Sequence, residues 1–149
     1  MKKFFFSLDK VLDYKTQVED NLRAEHAGVL RAVMKKEEEI ESMEAVHHHY
    51  MDDMEGVKNH GCRVQELMIY EKYLGGSRRR IEEEKERLEQ LRQQEEEKRE
   101  QVIEAKKERT SIDMLKEKKK NEYDFLVQKG EEQFIEEFVA NSRHHDKQA

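Results

Sequence analysis

Apolar residues recur along the first half of the chain in alternating steps of three and four. This narrow stripe is typical of a coiled-coil seam, whereas a helix of a globular protein presents a wider apolar face. The pattern persists for about nine heptads, which argues against a disordered chain. The seam positions are Phe5, Leu8, Leu12, Lys15, Glu19, Leu22, His26, Val29, Val33, Lys36, Ile40, Met43, His47, Tyr50, Met54, Val57, Gly61, Val64 and Met68.

The same spacing continues in the second half of the chain, with more charged residues on the seam. This second helix is therefore less apolar than the first, and we expect the pair to be only marginally stable. Apolar residues return beyond Gly130. The seam positions of the second half are Ile81, Glu84, Leu88, Leu91, Glu95, Lys98, Val102, Ala105, Arg109 and Ile112, and the later apolar residues are Phe134, Ile135, Phe138 and Val139.

The strongest helix-breaking signal lies near the midpoint of the chain. None of the 149 residues is proline, and the only paired glycines are Gly75-Gly76, followed by Ser77 as a plausible N-cap. The sequence therefore predicts an all-α fold, with two long helices forming an antiparallel coiled-coil hairpin in a single domain, 1–149. The predicted boundaries are helix 1 at about 4–73, a turn at about 74–77, helix 2 at about 78–140 and a disordered tail at about 141–149.

A second weak point lies between Gly56 and Gly61, where we expect a kink or a short break in the first helix. With the corner at Gly75-Gly76, residues facing each other have numbers that sum to about 151 or 152. Apolar residues then meet apolar residues along the hairpin. The predicted pairs are Ile40 with Ile112, Tyr50 with Val102, Val64 with Leu88, and Leu12 with Val139.

The seam is interrupted around Lys15 and Glu19. An alternative stripe with an extra step of four is formed by Val11, Tyr14, Val18 and Leu22, so we expect a stutter that rotates the buried face. Apolar residues then lie on two faces of the first turns. One face would pack within the chain, and the other would be available to a partner.

The composition narrows the class of protein. Charged residues make up 43% of the chain and hydrophobic residues 35%, and acids and bases are finely mixed around a net charge of -6. Without a basic face and stacking aromatics, nucleic-acid binding is not expected. The lone Cys62 fits a reducing compartment, and the apolar start is cut short by Asp9 and Lys10, unlike a signal peptide. A cytoplasmic protein without a membrane span is predicted.

Few residues suggest chemistry. The consecutive residues His47, His48 and His49 point in different directions on a helix, which leaves His49 with Asp53 as a weak metal-ligand pair. Cys62 has only His60 nearby, two residues away and off its helical face. No phosphate-binding loop or nucleophile-base arrangement is present. We therefore expect neither an enzyme nor a metal or cofactor site.

Two clusters near the predicted corner have two interpretations each. Arg78-Arg79-Arg80 is either a solvated corner neutralised by the following glutamates or a docking site for an acidic partner. Tyr70, Tyr73 and Leu74 either staple the turn or anchor a partner. The sequence leaves both choices open.

Both termini resemble one family. The run from Phe4 to Lys15, with Glu19 following, resembles the opening of the bacterial flagellar export protein FliJ. The segment Leu115-Lys116-Glu117-Lys118, Tyr123 and the run from Glu132 to Phe138 are similar to the closing segment of that family. Glu136 stands where the family usually has Asp, and Phe138 stands where a small residue is common.

The resemblance implies a component of the flagellar type III export apparatus that serves motility. FliJ-like proteins are similar to the central stalk of rotary ATPases, and the family's partners are the hexameric export ATPase FliI, the cytoplasmic domain of the export gate FlhA, and export chaperones. It also implies a free monomer recruited to the inner face of the cell membrane at the flagellar base. The residues implied for ATPase binding are Leu8, Val11, Leu12, Glu132, Gln133 and Phe138, and those for gate binding are Tyr70, Tyr73 and Leu74.

The main alternative is a homodimeric coiled-coil scaffold with two parallel chains. In that arrangement Cys62 of one chain would lie beside Cys62 of the other. Rapid disulfide formation on mild oxidation would favour the scaffold, whereas a monomer mass would favour the hairpin.

Overall fold

The computed structural model describes residues 2–148 and consists of two long helices. Helix α1 spans Asp9–His60, helix α2 spans Val64–Gln148, and residues 61–63 connect them. The described residues contain no strand. The predicted all-α class, with two long helices packed against each other, is confirmed.

The predicted seam is the buried face of both helices. In α1 the same heptad position is buried or half-buried from Leu12 through Val33 and Ile40 to Met54. In α2 every predicted seam position from Ile81 to Ile112 is likewise at least half-buried. Because the seam follows from spacing alone, it was predictable without knowledge of the pairing. The exceptions are five exposed seam positions, namely Phe5, Tyr50, Gly61, Val64 and Met68.

The predicted corner at Gly75-Gly76 is wrong, because the chain reverses at residues 61–63. Gly61 has a φ of 84°, a left-handed conformation that ends a helix and that glycine adopts without strain. Its amide donates to the carbonyl of Lys58 at 3.4 Å, which caps α1. The predicted weak point at Gly56–Gly61 therefore contains the turn itself.

Gly75 and Gly76 instead lie inside α2. Each glycine costs a helix only about 1 kcal/mol relative to alanine, and the neighbouring turns recover more than that by packing. Leu74, Ser77 and Ile81 are all buried against α1. Ser77 is therefore not an N-cap, and its hydroxyl lies 3.0 Å from Nδ1 of His47.

Both outer boundaries also differ from the prediction. Residues 2–6 are not helical, and α1 begins at Asp9, whose amide donates to the carbonyl of Phe6 at 3.2 Å. At the other end α2 continues through the predicted disordered tail as far as Gln148. Residue 149 lies outside the described residues.

The chain divides into two compact units, of which the central unit is Asp20–Ile103. Here α1 and α2 run antiparallel on either side of the 61–63 loop as a helical hairpin. Its core cluster joins Val33, Ile40 and Leu88, with Leu91 packed against them. Burial of these side chains stabilises the helix pair by roughly 1.5–3 kcal/mol each.

The terminal unit contains residues 2–19 and 104–148. Its non-helical N-terminal residues lie along α2, where Phe6 is buried and the Phe4 ring lies 5.5 Å from the ring of Tyr123. The Tyr123 hydroxyl donates to the carbonyl of Lys2 at 2.5 Å, and Nζ of Lys120 lies 5.2 Å above the Phe4 ring. These contacts fix the first residues of the chain on α2.

The predicted pairing of residues is wrong by about four heptads. Contacts across the two helices join His47 with Ser77, Tyr50 with Tyr73, and Lys36 with Glu84. Their residue numbers sum to about 124, as a reversal at 61–63 requires, and not to 151 or 152. Ile40 accordingly packs with Leu88 and not with Ile112.

Candidate docking surfaces

The N-terminal residues predicted to bind a partner differ in their accessibility. Leu12 is only 8% exposed because it packs inside the helix pair, and Leu8 is half-buried. Val11 and Tyr14 are exposed, so part of the predicted outer face exists. The predicted stutter is wrong: Glu19 keeps its seam position at 3% exposure, and its carboxylate accepts a hydrogen bond from Arg109.

The C-terminal residues predicted to bind a partner are all exposed. Glu132, Gln133 and Phe138 belong to residues 131–148 of α2, which we call the C-terminal segment and in which every side chain is exposed. Glu132 accepts a hydrogen bond from Gln128 at 3.3 Å, one turn earlier on the same helix. No part of the described chain covers this segment.

The C-terminal segment also carries apolar side chains that the sequence-based site did not include. Phe134 is 70% exposed and Ile135 60%, and Val139 is also exposed. With Phe138, at 65%, they occupy positions i, i+1, i+4 and i+5, which form one stripe on a helix. Four large apolar side chains left in water on one face are typical of an interaction surface.

The structure does not join the two predicted halves of the ATPase-binding site into one patch. The first turn of α1 lies beside Lys116, whose Nζ is 2.7 Å from Oδ1 of Asp9. Phe138 lies 22 residues further along α2, which corresponds to about 33 Å of helix. The prediction that Leu12 lies near Val139 is therefore wrong.

The residues predicted to bind the gate lie after the turn, on α2, and not before it. Leu74 is 7% exposed and contributes to the core, while Tyr70 is half-buried. The Tyr73 ring lies 4.5 Å from the Tyr50 ring of α1. Together with three neighbours these tyrosines form an apolar groove on the central unit, which we call the tyrosine groove. Its lining residues are Tyr50, Val57, Glu66, Ile69, Tyr70 and Tyr73.

The rim of the tyrosine groove is apolar and accessible. Ile69 is exposed in the groove, and Val64 and Met68 are exposed in the first turns of α2. Ile69 was not among the residues predicted to bind the gate, although it lies next to Tyr70 in the sequence. The spacing of Ile69 and Tyr73, at i and i+4, was the available signal.

Polar side chains occupy several positions of the seam, and each meets a partner on the other helix. Nζ of Lys36 donates to Glu84 at 2.7 Å, and His26 Nε2 lies 2.9 Å from Glu95. The hydrogen bond with Glu84 raises the pKa of Lys36, and the same bond lowers the pKa of the Glu84 carboxyl. Hydrogen bonds to Glu19 and Asp113 raise the pKa of Arg109.

The candidate metal-ligating and nucleophilic side chains do not come together in one site. His48 and His49 each face a single aspartate, Asp52 at 3.6 Å and Asp53 at 3.5 Å, and both pairs are exposed. Within residues 2–148 no group of three or more His, Cys, Asp or Glu side chains could hold a metal ion. Cys62 is half-buried in the loop.

The three arginines at 78–80 are exposed, but they lie inside α2, about four turns after its first residue. They are therefore not at a corner or at a helix N-terminus, where cations would oppose the helix dipole. A separate finding concerns membranes: among the described residues no helix is both long and apolar enough to cross one.

Comparison with known proteins gives one match. The family model described as "Flagellar FliJ protein" matches residues 4–148, which is nearly the whole chain. No curated protein and no solved structure matches it. The chain therefore belongs to the flagellar FliJ protein family, whose members are non-enzymatic components related to flagellar export.

Proposed function

We propose that this protein links the flagellar export ATPase to the export gate. In this proposal the C-terminal segment docks in the ring of FliI and promotes its assembly, while the tyrosine groove contacts the cytoplasmic domain of FlhA. The protein also handles export chaperones. It acts in the cytoplasm and reaches the inner face of the cell membrane at the flagellar base through its partners.

The observation that carries the proposal is the exposed apolar stripe of the C-terminal segment. Phe134, Ile135 and Phe138 are each at least 60% exposed on one helical face, which is costly in water and favourable in a protein groove. Glu131 and Glu132 flank the stripe. Leu12 and Leu74 are buried in the helix pair, so neither is proposed to contact a partner directly.

The proposal predicts that the two surfaces can be disabled separately. Phe134→Asp with Phe138→Asp should weaken binding to the ATPase at least tenfold and abolish its activation, because both side chains would act as apolar anchors. Binding of the same variant to the gate domain should stay unchanged. Calorimetry with each purified partner measures both affinities.

Ile69→Asp is the matched control, since it places the same charge on an equally exposed apolar position of the tyrosine groove. It should weaken binding to the gate domain and leave ATPase binding intact. The proposal fails if both variants bind both partners normally, or if both lose both partners while remaining helical.

The free protein is proposed to be a monomer. In support, α1 and α2 of one chain already bury the seam that a parallel homodimeric scaffold would use. Light scattering should give the mass of one chain. Near-complete Cys62 disulfide dimers on mild oxidation would favour the scaffold.

A further inference from the structure

The heptad spacing of the two helices is compatible with more than one pairing. Shifting α2 along α1 by about 28 residues, or four heptads, returns seam positions to seam positions, and several layers again join apolar residues. The chain would then reverse near Gly75-Gly76, and Ile40 would face Ile112. Apolar packing alone therefore does not distinguish the observed register from the shifted one.

The polar residues of the seam do distinguish the observed register from the shifted one. In the observed register Lys36 meets Glu84, His26 meets Glu95, and Glu19 meets Arg109. Glu19 is almost fully buried, and the side chain of Glu84 is 17% exposed. Side chains this sheltered from water need their partners, because an unpaired buried charge is strongly unfavourable.

The shifted register would remove each of these partners. Ile112 would take the place of Glu84 beside Lys36, and Lys116 would lie in the same layer, which brings two like charges together. Glu95 would meet Met54 and Val57 in place of His26. Arg109 would meet Met43 and His47 in place of Glu19. All of these residues are at least half-buried in the observed pair, so the mismatches would fall inside the seam and not on its surface.

We propose that the three polar pairs Glu19–Arg109, His26–Glu95 and Lys36–Glu84 act as a register lock, which excludes the four-heptad shift. The lock has a consequence for the C-terminal segment. In the observed register nothing in the described chain covers residues 131–148, whereas the shifted register would pair them with the first two dozen residues. The lock therefore keeps the apolar stripe of that segment exposed.

The test measures the register directly in the full-length chain with Cys62→Ser. Nitroxide labels are attached at Glu37→Cys and Glu89→Cys, two exposed positions outside the seam that lie side by side in the observed register. Pulsed electron paramagnetic resonance should give one distance of about 20 Å, given an interaxial spacing of about 10 Å plus the labels. A four-heptad shift moves the labels beyond about 40 Å, because 28 helical residues rise about 42 Å.

The lock is removed by placing leucine at all six polar positions, which keeps the seam filled and should not unfold the pair. The expected result is a second population of molecules in which the two labels are more than about 40 Å apart. The measurement is made at a protein concentration at which light scattering gives the mass of a monomer. Restoring only Lys36 and Glu84 in this background should remove that population, because Lys36 would again lie in the same layer as Lys116 in the shifted register.

The matched control replaces the exposed pair Glu44 and Lys85 by leucine, since their ion pair of 2.9 Å lies outside the seam. This control should retain the single short distance. The inference is overturned if the six-leucine variant also shows only the short distance, or if the control gains the long one. Neither result depends on partner binding, so the proposed function and the register lock can fail separately.

Discussion

Helix α2 contains one stretch whose apolar side chains are mostly buried and a second stretch whose apolar side chains are exposed to water. From Ile81 to Ile112 every large apolar side chain except Ile103 is at least half-buried, and several charged residues share the seam with them. In the C-terminal segment the apolar side chains are exposed, although the helix is continuous. Helical periodicity is thus present in both stretches, but only the first has a partner within the described chain.

This difference separates stability from function. The paired stretch obtains its stability from burial and cross-helix ion pairs. The C-terminal segment has only local helical hydrogen bonds and contacts such as Gln128 with Glu132. An isolated helix of this length is marginal in water, so the segment should gain most of its order when a partner covers its apolar stripe.

Truncating a buried side chain should give the largest effect. Ile40→Ala removes a side chain from the core cluster of the central unit and should cost about 2–5 kcal/mol of unfolding free energy. Phe138→Ala, its counterpart in the C-terminal segment, should change stability by less than about 0.5 kcal/mol. Urea unfolding followed by circular dichroism measures both. Equal costs would mean that the segment is packed after all.

Glycine substitutions should give the next largest effect and also locate the turn. Gly75→Ala should stabilise the paired stretch by up to about 1 kcal/mol, because the glycine is helical and nothing beyond the adjoining helix backbone lies within 4 Å of the added methyl group. Gly61→Ala should destabilise by about 1–2 kcal/mol because of its positive φ. Ser142→Ala also replaces a residue by a better helix former, but in the C-terminal segment, and should leave the free energy of global unfolding unchanged. Destabilisation by Gly75→Ala would contradict the observed turn.

The turn also shows what the sequence could reveal about the fold. Spacing identified the buried face of both helices, because that face depends only on local periodicity. The location of the turn depends on packing around it, and the strong signal at Gly75-Gly76 outweighed the correct but weaker one at Gly61. Apolar matching could not expose the error, since a shift of four heptads preserves much of it. The charged seam residues, such as Lys36 and Glu84, contained the missing information.

The predicted site residues depend on the register in the same way. Phe138 is accessible only in the observed register, where it follows the last paired turns, whereas the predicted register would have paired it with the first turns of α1. Leu12 and Leu74 are buried by neighbours that only the correct register supplies. To predict whether a heptad residue is exposed, one therefore needs the pairing of the two helices as well as the periodicity of each.

A smaller effect should appear when the seam ion pair is titrated with acid. The hydrogen bond from Lys36 lowers the pKa of Glu84 below its ordinary value of 4.5 in the folded protein. Its contribution to stability is thus complete above that value and is lost as the pH falls through the lowered folded pKa. The melting temperature should decline between about pH 5 and pH 3, and Glu84→Gln should decline less.

Glu137→Gln is the matched control for this titration, because it removes a carboxylate from the C-terminal segment. Its melting temperature should follow that of the unmodified chain at every pH. The assignment to the Lys36–Glu84 pair would be contradicted if Glu137→Gln reduced the acid sensitivity as strongly as Glu84→Gln.

Deleting the C-terminal segment should have the smallest effect on stability. The variant lacking residues 131–149 should unfold at the same urea concentration as the full chain, because no described part of the pair packs on that segment. In the full chain its amide hydrogens should exchange far faster than those of the paired stretch, since they are protected only by a fraying helix. Adding the export ATPase should then slow their exchange, whereas adding it to the Phe134→Asp, Phe138→Asp variant should not. Slow exchange in the free protein would mean that the segment is already covered, and the contrast between the two stretches of α2 would be lost.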